Sequence, residues 1–138
     1  MSHVISTSAL LPVIKAEKNN NGAEFTLTSK TTGKEFTYLI SRKEFKGKFY
    51  THVKVEKGYR VFVRLGSYYN GRITLKGQVV DTPSAKAIAY VLNKLEQGAQ
   101  GLDEVVELRH VGNCLRCGRE LSDSTSIDRG LGPVCVNF

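Results

Sequence analysis

Three cysteines, Cys114, Cys117 and Cys135, stand within the last 25 residues of the chain, and His110 precedes the first of them by four positions. The pattern H-x3-C-x2-C-x17-C suits one tetrahedral ion. Two thiolates two residues apart can grip the same metal, and Gly118 lets the backbone turn beneath the sulfurs. Cys135 follows Gly130, Gly132 and Pro133, a turn-prone run that can bring in a third sulfur. The fourth donor is then nitrogen, oxygen or water, with His110 the leading candidate. One zinc per chain is the expected cofactor, in a structural role. A redox pair of Cys114 and Cys117 would open a helix after a strand and would leave the third cysteine without a part. A catalytic zinc would want an acidic shuttle beside His110, and the H-x-E element of zinc deaminases is absent.

The same residues carry a family resemblance. His110, Cys114, Cys117, Gly118, Arg119, Leu121, Ser126, Ile127, Gly130, Gly132, Pro133 and Cys135 stand in an order similar to the tail of an uncharacterised family of small phage and bacterial proteins, a domain of unknown function. The chain departs from that pattern at Ser124 and Thr125, where the family often has Pro-Glu, and at Leu131. These changes leave every candidate ligand in place. The resemblance implies zinc and a phage-type origin; the family has no activity to carry over.

A second chemistry lies upstream. Residues 1–82 hold 14 Lys and Arg against 6 Asp and Glu, so the chain's whole positive excess sits there. Such a surface favours a polyanion, either nucleic acid or an acidic host protein. Strand alternation around Lys57-Gly58 predicts Val53, Val55, Val61, Val63 and Leu65 on a core face. His52, Lys54, Arg60, Phe62 and Arg64 then share the other face. Arg72 and Lys76 join them if Ile73 and Leu75 point inward. Cations beside an aromatic on an open sheet face can hold a single strand, phosphates on cations and bases on rings. Arg42, Lys43, Lys46 and Lys48 add four more cations, interleaved with Phe45, Phe49 and Tyr50.

The elements that must position these groups read as follows. Strands are predicted at Phe25–Thr28, Glu35–Ile40, Tyr50–Glu56, Tyr59–Leu65 and Arg72–Lys76, joined as a meander. Lys57-Gly58 is taken as a tight hairpin turn and Gly66 to Gly71 as a second turn. Thr82 and Pro83 cap a helix whose apolar stripe is Ala85, Ile88, Ala89, Leu92 and Leu95, with Gly98 as its stop signal. Asp103–Arg109 reads as a sixth strand delivering the chain to the cysteines. The predicted fold is α+β: an antiparallel sheet of five or six strands, one packed helix and a small zinc-binding module. Residues 1–109 form the basic domain and 110–138 the module.

Other classes are excluded on composition. No apolar run is long enough to span a bilayer, and the first residues lack the pattern of a secretory leader, so a cytoplasmic protein is expected. No glycine-rich phosphate loop or paired-carboxylate arrangement appears, so the reading is non-enzymatic: a phage-type accessory protein that binds nucleic acid. The alternative is an inhibitor or adaptor that binds a host or defence protein.

Overall fold

Alternation of apolar and polar residues, broken by glycine-bearing turns, carries most of the chain into antiparallel strands. The structure, a computed structural model, describes residues 3–10, 20–59, 61–69, 71–98, 101–110, 112 and 121. Among these, eight strands form one sheet: β1 (His3–Ile5), β2 (Asn20–Ser29), β3 (Glu35–Phe45), β4 (Lys48–Gly58), β5 (Val61–Tyr69), β6 (Arg72–Leu75), β7 (Gln78–Val79) and β8 (Val106–His110). Their order is β1-β8-β2-β3-β4-β5-β6-β7, every neighbouring pair antiparallel. The expected meander therefore runs from β2 to β7, and β8 returns to pair with β2. No described helix is long and apolar enough to cross a membrane.

The strand count exceeds the five or six expected, because β1 has three residues and β7 two. Segments this short carry no period and exist only through their partners β8 and β6. The turns also differ. Lys46 and Gly47 both have positive φ, 51° and 81°, and so do Lys76 and Gly77, at 53° and 81°. Two such residues make the turn whose twist matches a hairpin, and the first of them extends β3 and β4 into one long arm. Gly58, expected within a turn, instead pairs with Val61, because a bulge at Glu56–Gly58 moves the reversal along the chain.

Gly66 corrects a second expectation: it lies inside β5 rather than opening a turn. Lys54 pairs with Arg64 while Val53 pairs with Gly66, so Leu65 is the extra residue of a bulge. The alternation of β5 reverses there. Before it, even-numbered residues face away from the helix; after it, Ser67 and Tyr69 do.

The main helix, α1 (Pro83–Glu96), starts as expected: Thr82 Oγ1 accepts the Ala85 N–H at 3.3 Å. Ala85, Ile88, Val91, Leu92 and Leu95 are buried in one cluster with Phe25, Tyr38, Ile40, Val53 and Ile73. Each large side chain so buried contributes about 1.5–3 kcal/mol. Tyr38 Oη donates to the Ser84 carbonyl at 2.6 Å, tying β3 to the first turn of α1. Burial pushes this phenol's pKa well up. Val61 and Val63 lie on the helix side as predicted but remain 56% and 39% exposed, since α1 does not cover that corner.

The start of the expected sixth strand is a single helical turn, α2 (Leu102–Val105). Asp103 on it accepts from the Thr7 N–H and the Ser6 hydroxyl, each at 2.8 Å, and Lys30 Nζ donates to its backbone carbonyl at 2.7 Å. Burial opposes the charge, but the Thr7 and Ser6 hydrogen bonds and the Lys30 ammonium outweigh it and hold the carboxyl below its usual range. These contacts place β8, and with it His110, at the edge of the core.

A Cβ on Gly66 would stand 2.3 Å from the Thr74 carbonyl oxygen, and the residue's φ is 146°. Gly66→Ala is therefore expected to cost about 3 kcal/mol in a denaturant titration, from steric overlap and backbone strain together. Gly58→Ala, with only Val61 Cβ at 4.0 Å, should stay within about 0.5 kcal/mol of the parent. Equal midpoints for the two variants would contradict the bulge.

Candidate functional site

Cross-strand pairing decides which side chains share a face. On the side of the sheet away from α1, Lys54 lies opposite Arg64, His52 opposite Ser67, Glu56 opposite Phe62, Lys43 opposite Tyr50, and Arg72 opposite Tyr69. Lys43, Lys54, Arg64 and Arg72 are exposed; His52 and Phe62 are half-buried. The sequence-predicted set Lys54, Phe62, Arg64 and Arg72 is thus brought together on one face. Lys76 sits in the β6–β7 turn and Lys46 in the β3–β4 turn, with Lys48 beside the latter. Arg60 lies outside the described residues.

Two rings join the set: Tyr50, named in the sequence among the aromatics beside Lys43 and Lys48, and Tyr69, which the alternation pattern did not assign to it. Tyr69 is 77% exposed and Tyr50 38%. Both stand beside a cation, Arg72 and Lys43 respectively. Tyr69 reaches this face only through the Leu65–Gly66 bulge, and the available signal was an isolated glycine inside a strand pattern. Arg42 goes the other way. It pairs with Thr51, donates from Nη1 to Thr51 Oγ1 at 2.7 Å, and lies on the helix side with its guanidinium 5.8 Å from the Phe49 ring centre.

His52 reports the field of the cationic face. Its Nδ1 and Ser67 Oγ are 3.1 Å apart. Burial, then the positive charges of Arg64 and Lys43, hold its pKa below the usual value. The face has acidic neighbours too: Glu56 beside Phe62, and toward the β8 edge the Glu107–Arg109 ion pair at 2.7 Å. The cations concentrate over β3 to β6.

Of the candidate zinc ligands, His110 alone is among the described residues; Cys114, Cys117 and Cys135 lie outside them. No group of three or more His, Cys, Asp or Glu able to hold a metal occurs among the described residues. His110 ends β8, fully buried, between Phe25 of β2 and His3 of β1 in register. Its Nδ1 accepts the Gly112 N–H at 3.0 Å. A nitrogen that accepts this N–H has no lone pair left for a metal, and a histidine binding through Nε2 ordinarily carries its proton on Nδ1. Coordination by His110 therefore requires the Gly112 N–H to turn away. Leu121 is buried in the main core, and its N–H bonds the Gly112 carbonyl at 2.8 Å, so this part of the tail is tied to β8.

Residues 107–137 match a family of unknown function, DUF6011. The match starts inside β8, spans His110 and all three cysteines, and covers 31 of the chain's 138 residues. No curated protein and no solved structure matches the chain. The cationic face lies wholly outside the DUF6011 segment.

A further concavity escaped the sequence reading. A groove of about 590 Å³ runs between α1 and the β2–β3 end of the sheet, with Leu27, Phe36, Tyr90, Val105 and Val106 on its walls and Lys34 and Lys86 among its lining. Tyr90, 48% exposed, is off the helical core stripe and was its one legible mark.

Two measurements check this site. In NMR titrations the His52 imidazole should titrate below about 6.5, and Arg64→Ala should move it back up. Because the unfolded chain then binds this proton more tightly, stability falls as pH drops from the unfolded value through the folded one. An unchanged His52 titration in Arg64→Ala would separate the two groups. For the DUF6011 segment, elemental analysis of the purified protein should find one zinc per chain, lost in Cys114→Ser and in Cys135→Ser. A zinc-free parent protein would remove the metal from the account.

Proposed function

We propose that the protein is a non-enzymatic nucleic-acid-binding accessory protein, of phage type, whose contact surface is the sheet face away from α1. The observation that carries this reading is the coincidence of Lys43, Lys54, Arg64 and Arg72 with Tyr50, Phe62 and Tyr69 on one side of four neighbouring strands. Cations there meet phosphates, and rings offer every base a stacking surface, which favours single strands over a duplex. A structural zinc held by Cys114, Cys117 and Cys135, with His110 as fourth ligand once the Gly112 N–H turns away from its Nδ1, fastens the DUF6011 segment, which has few apolar residues of its own to bury.

A second reading rests on the apolar groove beside α1. Its exposed Tyr90 and Val105, with Lys34 and Lys86 nearby, suit a protein partner with an apolar anchor and acidic flanks. Under that reading the protein is an inhibitor or adaptor acting on a host protein.

Fluorescence titrations with a single-stranded oligonucleotide over a salt series separate the two. Arg64→Ala should weaken binding to every sequence and reduce the salt slope by about 0.7, the share of one phosphate contact on a single strand. Phe62→Ala should cost about 1–3 kcal/mol and leave the slope nearly unchanged. A parent protein with no oligonucleotide binding at low salt would overturn the nucleic-acid reading and leave the groove in its place.

A further inference from the structure

The outward side chains of β3 to β6 form rows that differ in kind. Ser41 pairs with His52, His52 with Ser67, and Ser67 with Thr74, so three hydroxyls and one imidazole make a single row across four strands. All four residues are half-buried. Two residues toward the β3–β4 turn, about 7 Å along the strands, stands a row in which Lys43 lies opposite Tyr50 and Tyr69 opposite Arg72. On the other side of the hydroxyl row Lys54 lies opposite Arg64, and Phe62 follows beyond Arg64. Among the described residues, no carboxylate takes an outward position in these three rows; Glu56, opposite Phe62, begins the next.

The middle row is neutral and both donates and accepts. A hydroxyl does either, and His52 Nδ1 lies 3.1 Å from Ser67 Oγ. Burial, then the charges of Arg64 and Lys43, favour the uncharged imidazole, which also puts both cations within reach of this row. A phosphate oxygen only accepts, and the cations on either side serve it already. The group that matches a neutral donor-and-acceptor row is itself neutral, donating and accepting. In a nucleic-acid strand that group is the ribose 2′-hydroxyl.

We infer, on the outer-face reading proposed above, that this face is built for single-stranded RNA rather than DNA, with the ribose lying over Ser41, His52, Ser67 and Thr74. Along β5 the outward side chains run Tyr69, Ser67, Arg64, Phe62, and along β4 they run Tyr50, His52, Lys54. Ring, hydroxyl or imidazole, and cation follow the order of base, sugar and phosphate in a nucleotide, with Phe62 next for the following base. A base stacked on Tyr50 or Tyr69, with its phosphate at Lys54 or Arg64, has its sugar over the hydroxyl row. Rings and cations accept either nucleic acid; the hydroxyl row gains a hydrogen bond only from ribose.

Fluorescence titrations of the full chain with single-stranded RNA and DNA of one sequence, written in adenine and cytosine so that the bases are identical, test this. RNA should bind about tenfold more tightly than DNA at the same salt, the equivalent of one or two added hydrogen bonds. The salt slope should be the same for both, since the phosphate contacts are shared. Ser67→Ala should weaken RNA binding by about fivefold and leave DNA binding unchanged, and Thr74→Ala should act in the same sense. Ser67→Thr, which keeps the hydroxyl, should retain the preference. Each variant's DNA affinity is its own control for folding, because DNA uses the same rings and cations. Equal affinity for RNA and DNA would overturn the inference and leave the face a binder of either strand. So would an RNA preference that survives Ser41→Ala, Ser67→Ala and Thr74→Ala together. Absence of binding to both strands at low salt would overturn the outer-face reading as well.

Discussion

The contact between the Gly66 backbone and the Thr74 carbonyl governs how this sheet is divided. With no side chain at Gly66, β5 and β6 close to within a distance that a Cβ could not share. The bulge at that point reverses the alternation of β5, so Leu65, Gly66 and Tyr68 turn toward the core while Phe62, Arg64, Ser67 and Tyr69 all turn away from it. An unbulged β5 would send Tyr69 under α1 and Tyr68 into water. The burial of Tyr68 and the outward placement of Tyr69 are two consequences of one residue's missing side chain.

Packing against α1 fixes the other half of the arrangement. The buried stripe of the helix covers the middle of the sheet, and the Tyr38–Ser84 hydrogen bond sets where its first turn sits. Beyond the covered zone the strands continue. At one end they leave Val61 and Val63 exposed; at the other the β3–β4 arm runs on past the last turn of the helix, where Arg42, Phe49, Tyr68 and Glu96 line a concavity. Arg42 and Lys43 are adjacent in sequence yet serve opposite faces, as the period of two requires.

Much of this was legible in the residues. Thr82, Pro83 and Gly98 bracket α1, and of its expected stripe Ala85, Ile88, Leu92 and Leu95 are buried, with Val91 added and Ala89 only half-buried. The meander from β2 to β7 and the sharing of a face by Lys54, Phe62, Arg64 and Arg72 also follow from alternation. What stayed hidden depends on contacts between distant segments. β1 and β7 are too short to carry a pattern; the Lys-Gly turns at 46–47 and 76–77 resemble the Lys57-Gly58 step that turned out to lie in a bulged strand; and Gly66 reads equally well as a turn. The cysteine spacing is the clearest chemical signal in the chain. The DUF6011 match covers the same segment, but Cys114, Cys117 and Cys135 lie outside the described residues. His110 is placed by the structure with its Nδ1 already bonded to Gly112, a detail that spacing could not reveal.

The proposed contact surface lies outside the DUF6011 segment, which begins within β8. The proposal is that nucleic acid lies across the outer face, in contact with Phe62. Ultraviolet crosslinking of the full chain to a thymidine-rich single-stranded oligonucleotide, followed by peptide mass spectrometry, tests that contact directly. The account predicts a crosslinked peptide carrying Phe62. Crosslinks confined to Phe36 or Tyr90 in the groove beside α1, or none at all, would contradict it.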